Sequence, residues 1–154
     1  YNVPSRTGCN IMPETVAHLV KNKENIVGVK EASNDIGKTL EIRSRCPNFT
    51  VWSGNDDMTV PIISLGGQGV ISVTSNVLPI EMNAMAKAAL DGDFDTAAHL
   101  QCKLREVTKL MFCELSPLPV KEAMNCIGYD CGSCRLPLGQ LSKNSKAKIR
   151  EYFQ

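Results

Sequence analysis

Ile26-Val27-Gly28-Val29-Lys30-Glu31-Ala32-Ser33 is the stretch on which the reading of this chain turns. Its first half is apolar and β-branched, the pattern of a parallel strand covered on both faces. The run ends at Lys30, so the ammonium sits where the strand stops, against either a cavity or solvent. A lysine in poorly solvated surroundings escapes the cost of a buried charge by losing its proton, and the neutral amine can attack a ketone to form an imine. On position alone, a strand-end lysine reaching into water is the better-supported reading, because lysines are rarely buried. The choice therefore rests on what surrounds this strand.

Outward from it, the pattern repeats. Tyr1-Asn2-Val3-Pro4 reads as the tail of a strand. Pro13 opens a helix to about Asn22 with Val16, Leu19 and Val20 at helical spacing. Asn34 or Asp35 caps a helix to about Arg45, its inner face expected to carry Ile36, Leu40 and Ile42. Phe49 to Trp52 is the next strand, followed by the turn Ser53-Gly54-Asn55-Asp56 and a helix from Met58 to Leu65. Gly69 to Val73 is a fourth strand, and Pro79 starts a helix to about Leu90. The rest reads as helical: Asp93 to about Cys113 as one long helix, then Leu118 to Ile127 and Ser142 to Phe153.

Four strand–helix units with nearly uniform apolar strands fit an open doubly wound sheet or half of an eight-stranded barrel. A nucleotide-binding sheet carries a glycine-rich turn between its first strand and helix. Ser5-Arg6-Thr7-Gly8-Cys9-Asn10 lacks that pattern, and Gly66-Gly67-Gln68-Gly69 precedes a strand instead of opening a helix. The half-barrel is favoured. A whole barrel needs about 250 residues, whereas this chain has 154. We therefore expect an α/β fold, the second half of a (β/α)8 TIM barrel (strands 5–8) over residues 1–92, with a helical C-terminal extension over 93–154.

Composition narrows the function. Seventeen basic residues against sixteen acidic ones give no electrostatic reason to expect nucleic acid or an anionic membrane as partner. No stretch approaches the ~20 apolar residues of a membrane span, and no signal segment opens the chain. A start at Tyr1 and not at methionine suggests a piece of a longer protein. Seven cysteines without a secretory signal point to free thiols in a reducing, cytoplasmic setting. Cys131-Gly132-Ser133-Cys134 with Cys126 has metal-like spacing, but His18 and His99 are distant in sequence, so reduced loop thiols are the preferred reading. Asp56-Asp57 is explained by an acidic helix start better than by a cation site.

Tyr1-Asn2-Val3-Pro4-Ser5-Arg6-Thr7-Gly8 followed by Gly28-Val29-Lys30-Glu31-Ala32 resembles the pyruvate-dependent class I aldolases and synthases built on the (β/α)8 barrel. Within that superfamily the chain is most similar to the dihydrodipicolinate synthase family. Ser53-Gly54-Asn55-Asp56, Gly66-Gly67-Gln68-Gly69-Val70-Ile71-Ser72-Val73, Pro117-Leu118-Pro119-Val120-Lys121 and Arg135-Leu136-Pro137-Leu138 support the likeness in the family's order. The match corresponds to the family's second half.

The resemblance implies a lyase of lysine and diaminopimelate biosynthesis that condenses pyruvate with aspartate β-semialdehyde without a cofactor or metal. Lys30 would be the Schiff-base lysine and Tyr1 the proton donor and acceptor. Arg6 would bind the carboxylate of the semialdehyde through its guanidinium fork. The Ile71 backbone carbonyl would face the pyruvate, and Gly54 would let the chain turn tightly around the site, as would Gly69. Asn55 stands where the family often has aspartate and Ser116 where asparagine often precedes the proline. The threonine pair for the pyruvate carboxylate, further relay hydroxyls and the lysine feedback site belong to the family's first half, so an N-terminal half-barrel is an implied partner, as is a homotetramer. N-acetylneuraminate lyase and 2-keto-3-deoxy sugar-acid aldolases share the tyrosine and lysine and are the alternative enzymes. Arg6 discriminates against them. A non-catalytic fragment is the alternative from another class.

Overall fold

The computed structural model describes residues 1–153. Its centre is a pair of parallel strands, β1 (Gly28–Glu31) and β2 (Thr50–Ser53), in the register Gly28↔Thr50 through Glu31↔Ser53. Asn2 bridges Glu31 in parallel on one side, and Val70 bridges Ser53 in parallel on the other. Four parallel segments therefore lie side by side in sequence order. The first, expected only as the tail of a strand, makes a single bridge; the other, expected as a strand over Gly69 to Val73, also makes a single bridge and no regular strand. Pro4 ends the first by opening a short helix, and the other runs from Gly69 (φ +136°) into a 3-10 turn at Thr74–Asn76.

Helices connect the segments. The short α1 (Pro4–Thr7) went unrecognised in sequence, although Pro4 at its start and Gly8 in the left-handed region at its end are ordinary helix punctuation. Next come α2 (Pro13–Asn22), α3 (Ile36–Arg45) and α4 (Thr59–Ser64), followed by α5 (Pro79–Leu90). The expected long helix from Asp93 is two, α6 (Phe94–Lys103) and α7 (Arg105–Met111). They are separated at Leu104, where ψ opens to −4° while the amides of Leu104 and Thr108 still bond four residues back. Two further helices, α8 (Leu118–Cys126) and α9 (Lys143–Phe153), complete the chain. Among the described residues, no helix is long and apolar enough to cross a membrane.

Side chains alternate across a strand, and β1 and β2 show it. Val29, Glu31, Val51 and Ser53 are buried beneath the helices, while Lys30 and Trp52 stand half-buried on the opposite face. Val29 and Val51 join Val16, Ile42, Phe49 and Ile62 in one core. A second core combines Met82 and Met85 with Leu104, Val107, Met111, Val120 and Ile149, so it draws on both sides of residue 93. The inner face expected for α3 needs correction. Ile36 and Leu40 are exposed, whereas Lys38, Thr39 and Ile42 are buried. The cause is Glu31, a buried charge on the sheet that draws Lys38 inward.

Gly54 is required by close approach. A Cβ there would lie 2.6 Å from the Ala32 Cβ and 3.0 Å from the Glu31 carbonyl oxygen. Gly54→Ala must therefore push the end of β1 away from the turn after β2. We expect a loss of about 1–3 kcal/mol, read from denaturant unfolding of the complete protein. Asp93 caps α6 by accepting from the Thr96 amide at 3.0 Å, and hydrogen bonding from the Thr96 side chain, then from that amide, holds its carboxyl below the usual range. A depressed carboxyl contributes stability above its unfolded pKa and loses it as pH falls through the folded one. Asp93→Ala should thus lower Tm at neutral pH, with the difference from the parent shrinking in acid.

Candidate active site

Lys30 stands near the end of β1, on the face opposite Val29 and Glu31, and its Nζ lies 4.3 Å from the centre of the Tyr1 ring. Tyr1 arrives there because the neighbouring backbone is paired: the Asn2 amide donates to the Lys30 carbonyl at 2.9 Å, and the Ala32 amide donates to the Asn2 carbonyl at 2.9 Å. Together they open onto a cavity of 820 Å³. Arg6, carried by α1, lines the same cavity, as does Gly54 from the turn after β2. The Arg6 Nη1 donates to the Ser116 carbonyl at 3.2 Å, which fixes one branch of the guanidinium and leaves further N–H groups of the fork to meet another acceptor. A phenol, an amine and a guanidinium thus converge on one hollow.

Of the residues singled out in sequence, Tyr1, Arg6, Lys30 and Gly54 line this cavity. Ile71 is not one of its lining residues. Its amide donates to the Ser53 carbonyl at 2.9 Å, and the residue is 46% exposed. The far wall comes from a part of the chain the sequence did not connect with the site. Gln101, Arg105, Lys109 and Phe112 of the α6–α7 segment close the hollow opposite Tyr1 and Lys30. Gln101 ties that wall down, accepting from the Val60 amide at 2.9 Å and donating to the Asp57 carbonyl. Contacts over such sequence distances leave no local pattern to read.

The acidic pair also does more than start a helix. Asp56 begins a 3-10 turn (Asp56–Met58), yet its Oδ2 accepts from the Thr74 amide at 2.9 Å, the Thr74 hydroxyl at 2.8 Å and the Val73 amide at 3.2 Å. A buried carboxylate that takes three donors pins the segment after Val70 to the turn after β2. Asn55 donates to the Asn34 side chain at 2.5 Å across the mouth of the site. Burial, followed by the charge of Glu122, pushes the Cys126 thiol up, away from the reactive thiolate. Among the described residues, no three His, Cys, Asp or Glu side chains gather to hold a metal ion.

A model of the Dihydrodipicolinate synthetase family matches residues 1–154. The 4-hydroxy-tetrahydrodipicolinate synthase of Thermoanaerobacter sp. (strain X514) is 50% identical over 143 residues, 92% of this chain and 48% of that protein. The crystal structure of dihydrodipicolinate synthase from Aquifex aeolicus superposes with a TM-score of 0.95 at 40% identity, over 99% of this chain and 52% of that one. The chloride-inhibited enzyme of Acinetobacter baumannii, solved in complex with pyruvate, gives 0.92 at 33% identity over 98% of this chain and 52% of that one. These neighbours are TIM-barrel enzymes, and the four parallel segments with their helices are the second half of that barrel. The chain spans about half the length of the curated relatives it matches. With its whole length matched by the family and half its residues shared with a relative, the chain belongs to the dihydrodipicolinate synthetase family.

Proposed function

We propose that this chain is the C-terminal part of a 4-hydroxy-tetrahydrodipicolinate synthase that condenses pyruvate with aspartate β-semialdehyde in lysine and diaminopimelate biosynthesis. The observation that carries the reading is the placement of the Lys30 Nζ 4.3 Å from the Tyr1 ring centre, in a cavity shared with Arg6. Residues 1–92 supply the half-barrel and 93–154 the helical extension. An N-terminal half-barrel completes the site, and the whole enzyme works as a cytoplasmic homotetramer.

The chemistry follows from the three side chains. The neutral Lys30 amine adds to the ketone carbon of pyruvate, and the carbinolamine loses water to give a protonated imine. The imine nitrogen withdraws electrons from the adjacent methyl, which gives up a proton and becomes an enamine carbon. That carbon attacks the aldehyde of the second substrate, forming the new carbon–carbon bond. Tyr1 moves protons to and from the oxygen and nitrogen that change charge along the way, a role that needs hydrogen-bonded partners because a free phenol titrates near ~10. Arg6 holds the semialdehyde carboxylate at the mouth, where a charge-assisted fork orients the aldehyde towards the enamine. Gly54 lets the chain turn tightly beside the pyruvate end. No cofactor is needed, because the imine itself is the electron sink.

Borohydride added to the complete protein with pyruvate should trap a reduced adduct on Lys30, mapped by peptide mass spectrometry, and Lys30→Ala should abolish it. An adduct on any other residue would remove the mechanism. Arg6→Ala should leave that pyruvate adduct intact while lowering kcat/KM for the semialdehyde by about tenfold to a hundredfold, the worth of a charged hydrogen bond. Turnover of sugar acids with none of the semialdehyde would remove the substrate assignment. The chain by itself should show no measurable synthase turnover, because the groups that hold the pyruvate carboxylate belong to the other half of the barrel.

A further inference from the structure

On the outer face of the sheet, directly behind the Tyr1–Lys30 pair, lies a cluster of buried polar side chains that the chemistry above does not use. Asn2 is 1% exposed, Glu31 2% and Lys38 5%. The Asn2 Nδ2 donates to both carboxylate oxygens of Glu31, at 2.9 and 3.0 Å, and to the Asn10 Oδ1 at 2.9 Å. The Asn2 Oδ1 accepts from the Ile11 amide at 2.9 Å. Glu31 also accepts from the Ser33 amide at 2.7 Å, and Lys38 lies 3.7 Å from its Oε2 while donating to the Asn10 side chain. Both the nitrogen and the oxygen of the Asn2 side-chain amide are thus engaged.

Asn2 follows Tyr1, and Glu31 follows Lys30. The two form the single bridge between the first segment and β1. Because side chains alternate across a strand, a bond between the outward pair fixes the register of the inward pair. A lone bridge has no ladder to hold that register. The buried amide–carboxylate bond supplies what a longer strand would have supplied. We infer that Asn2 and Glu31 are positioning residues for imine chemistry, with their side-chain bond setting the distance and angle at which the Tyr1 phenol stands over the Lys30 nitrogen. The inference rests on the reading of Lys30 as the imine-forming amine and Tyr1 as its proton partner.

The test is Asn2→Asp in the complete protein, which replaces the donor with a second carboxylate, and the double variant Asn2→Asp/Glu31→Gln, which exchanges donor and acceptor at unchanged net charge. Pyruvate imine formation is followed by borohydride trapping at saturating pyruvate and normalised to folded protein by circular dichroism. Asn2→Asp should slow it by about a hundredfold, the cost of a misplacement near an ångström, with the pyruvate KM little moved. The double variant should recover most of that loss, as coupled neighbours do. Should Asn2→Asp fail to fold, Asn2→Leu removes the bond without adding charge and is expected to show the same slow step. A folded Asn2→Asp or Asn2→Leu protein that forms the imine at the parent rate, even with a lowered Tm, overturns the inference, as does a slow Asn2→Asp protein that Glu31→Gln does not restore. A parent enzyme whose adduct is not on Lys30 overturns the underlying reading instead, so the two failures are told apart before any variant is compared.

Discussion

Neighbouring residues in an extended chain face opposite ways, and at Lys30-Glu31 that constraint separates two charges that are adjacent in sequence. One goes to the concave hollow and the other beneath the helices. The pairing of β1 with the Asn2 segment and with β2 holds this orientation in place, because a slip of one residue would bring Glu31 into the hollow and send Lys30 into the apolar layer. Much of the rest of this half of the molecule answers to the choice. Lys38 is drawn inward to meet Glu31, α3 turns a polar face to the sheet, and Ile36 and Leu40 are left outside.

A buried carboxylate and a buried ammonium are a costly way to join a helix to a sheet. Desolvation offsets most of their attraction, and a well-packed apolar pair would hold about as well. What such a pair supplies is selectivity of arrangement, since leaving either partner alone in the interior is strongly unfavourable. The apolar cores on either side stabilise without dictating register: Val29, Ile42, Val51 and Phe49 between sheet and helices, and the methionine-rich layer beneath α7, α8 and α9. Cohesion and alignment are thus divided between different residues. Asp56 repeats the division on the other flank, where one carboxylate gathers three donors from Val73 and Thr74.

How much of this was legible in the sequence depended on distance along the chain. Pro13, Pro79 and Asp35 announced helices through local backbone preferences, and the apolar run before Lys30 announced its strand. The grouping of Tyr1, Arg6 and Lys30 came from a family likeness, and the structure gathers all three at one cavity. Gly69 to Val73 read as a full strand because apolar composition reports burial and not the number of bonded neighbours. Periodicity misled at Ile36 and Leu40, since an apolar stripe cannot show that a charge on another strand has claimed the inner face. Gln101, Arg105 and Lys109 went unseen at the site because what brings them there is tertiary packing across more than one helix.

The Arg6–Ser116 hydrogen bond joins positions 110 apart in the chain. Through it, α1, which presents the guanidinium, leans on the connection between α7 and α8. Variation around Ser116 therefore has a route to the position of this guanidinium even with every lining residue of the hollow unchanged.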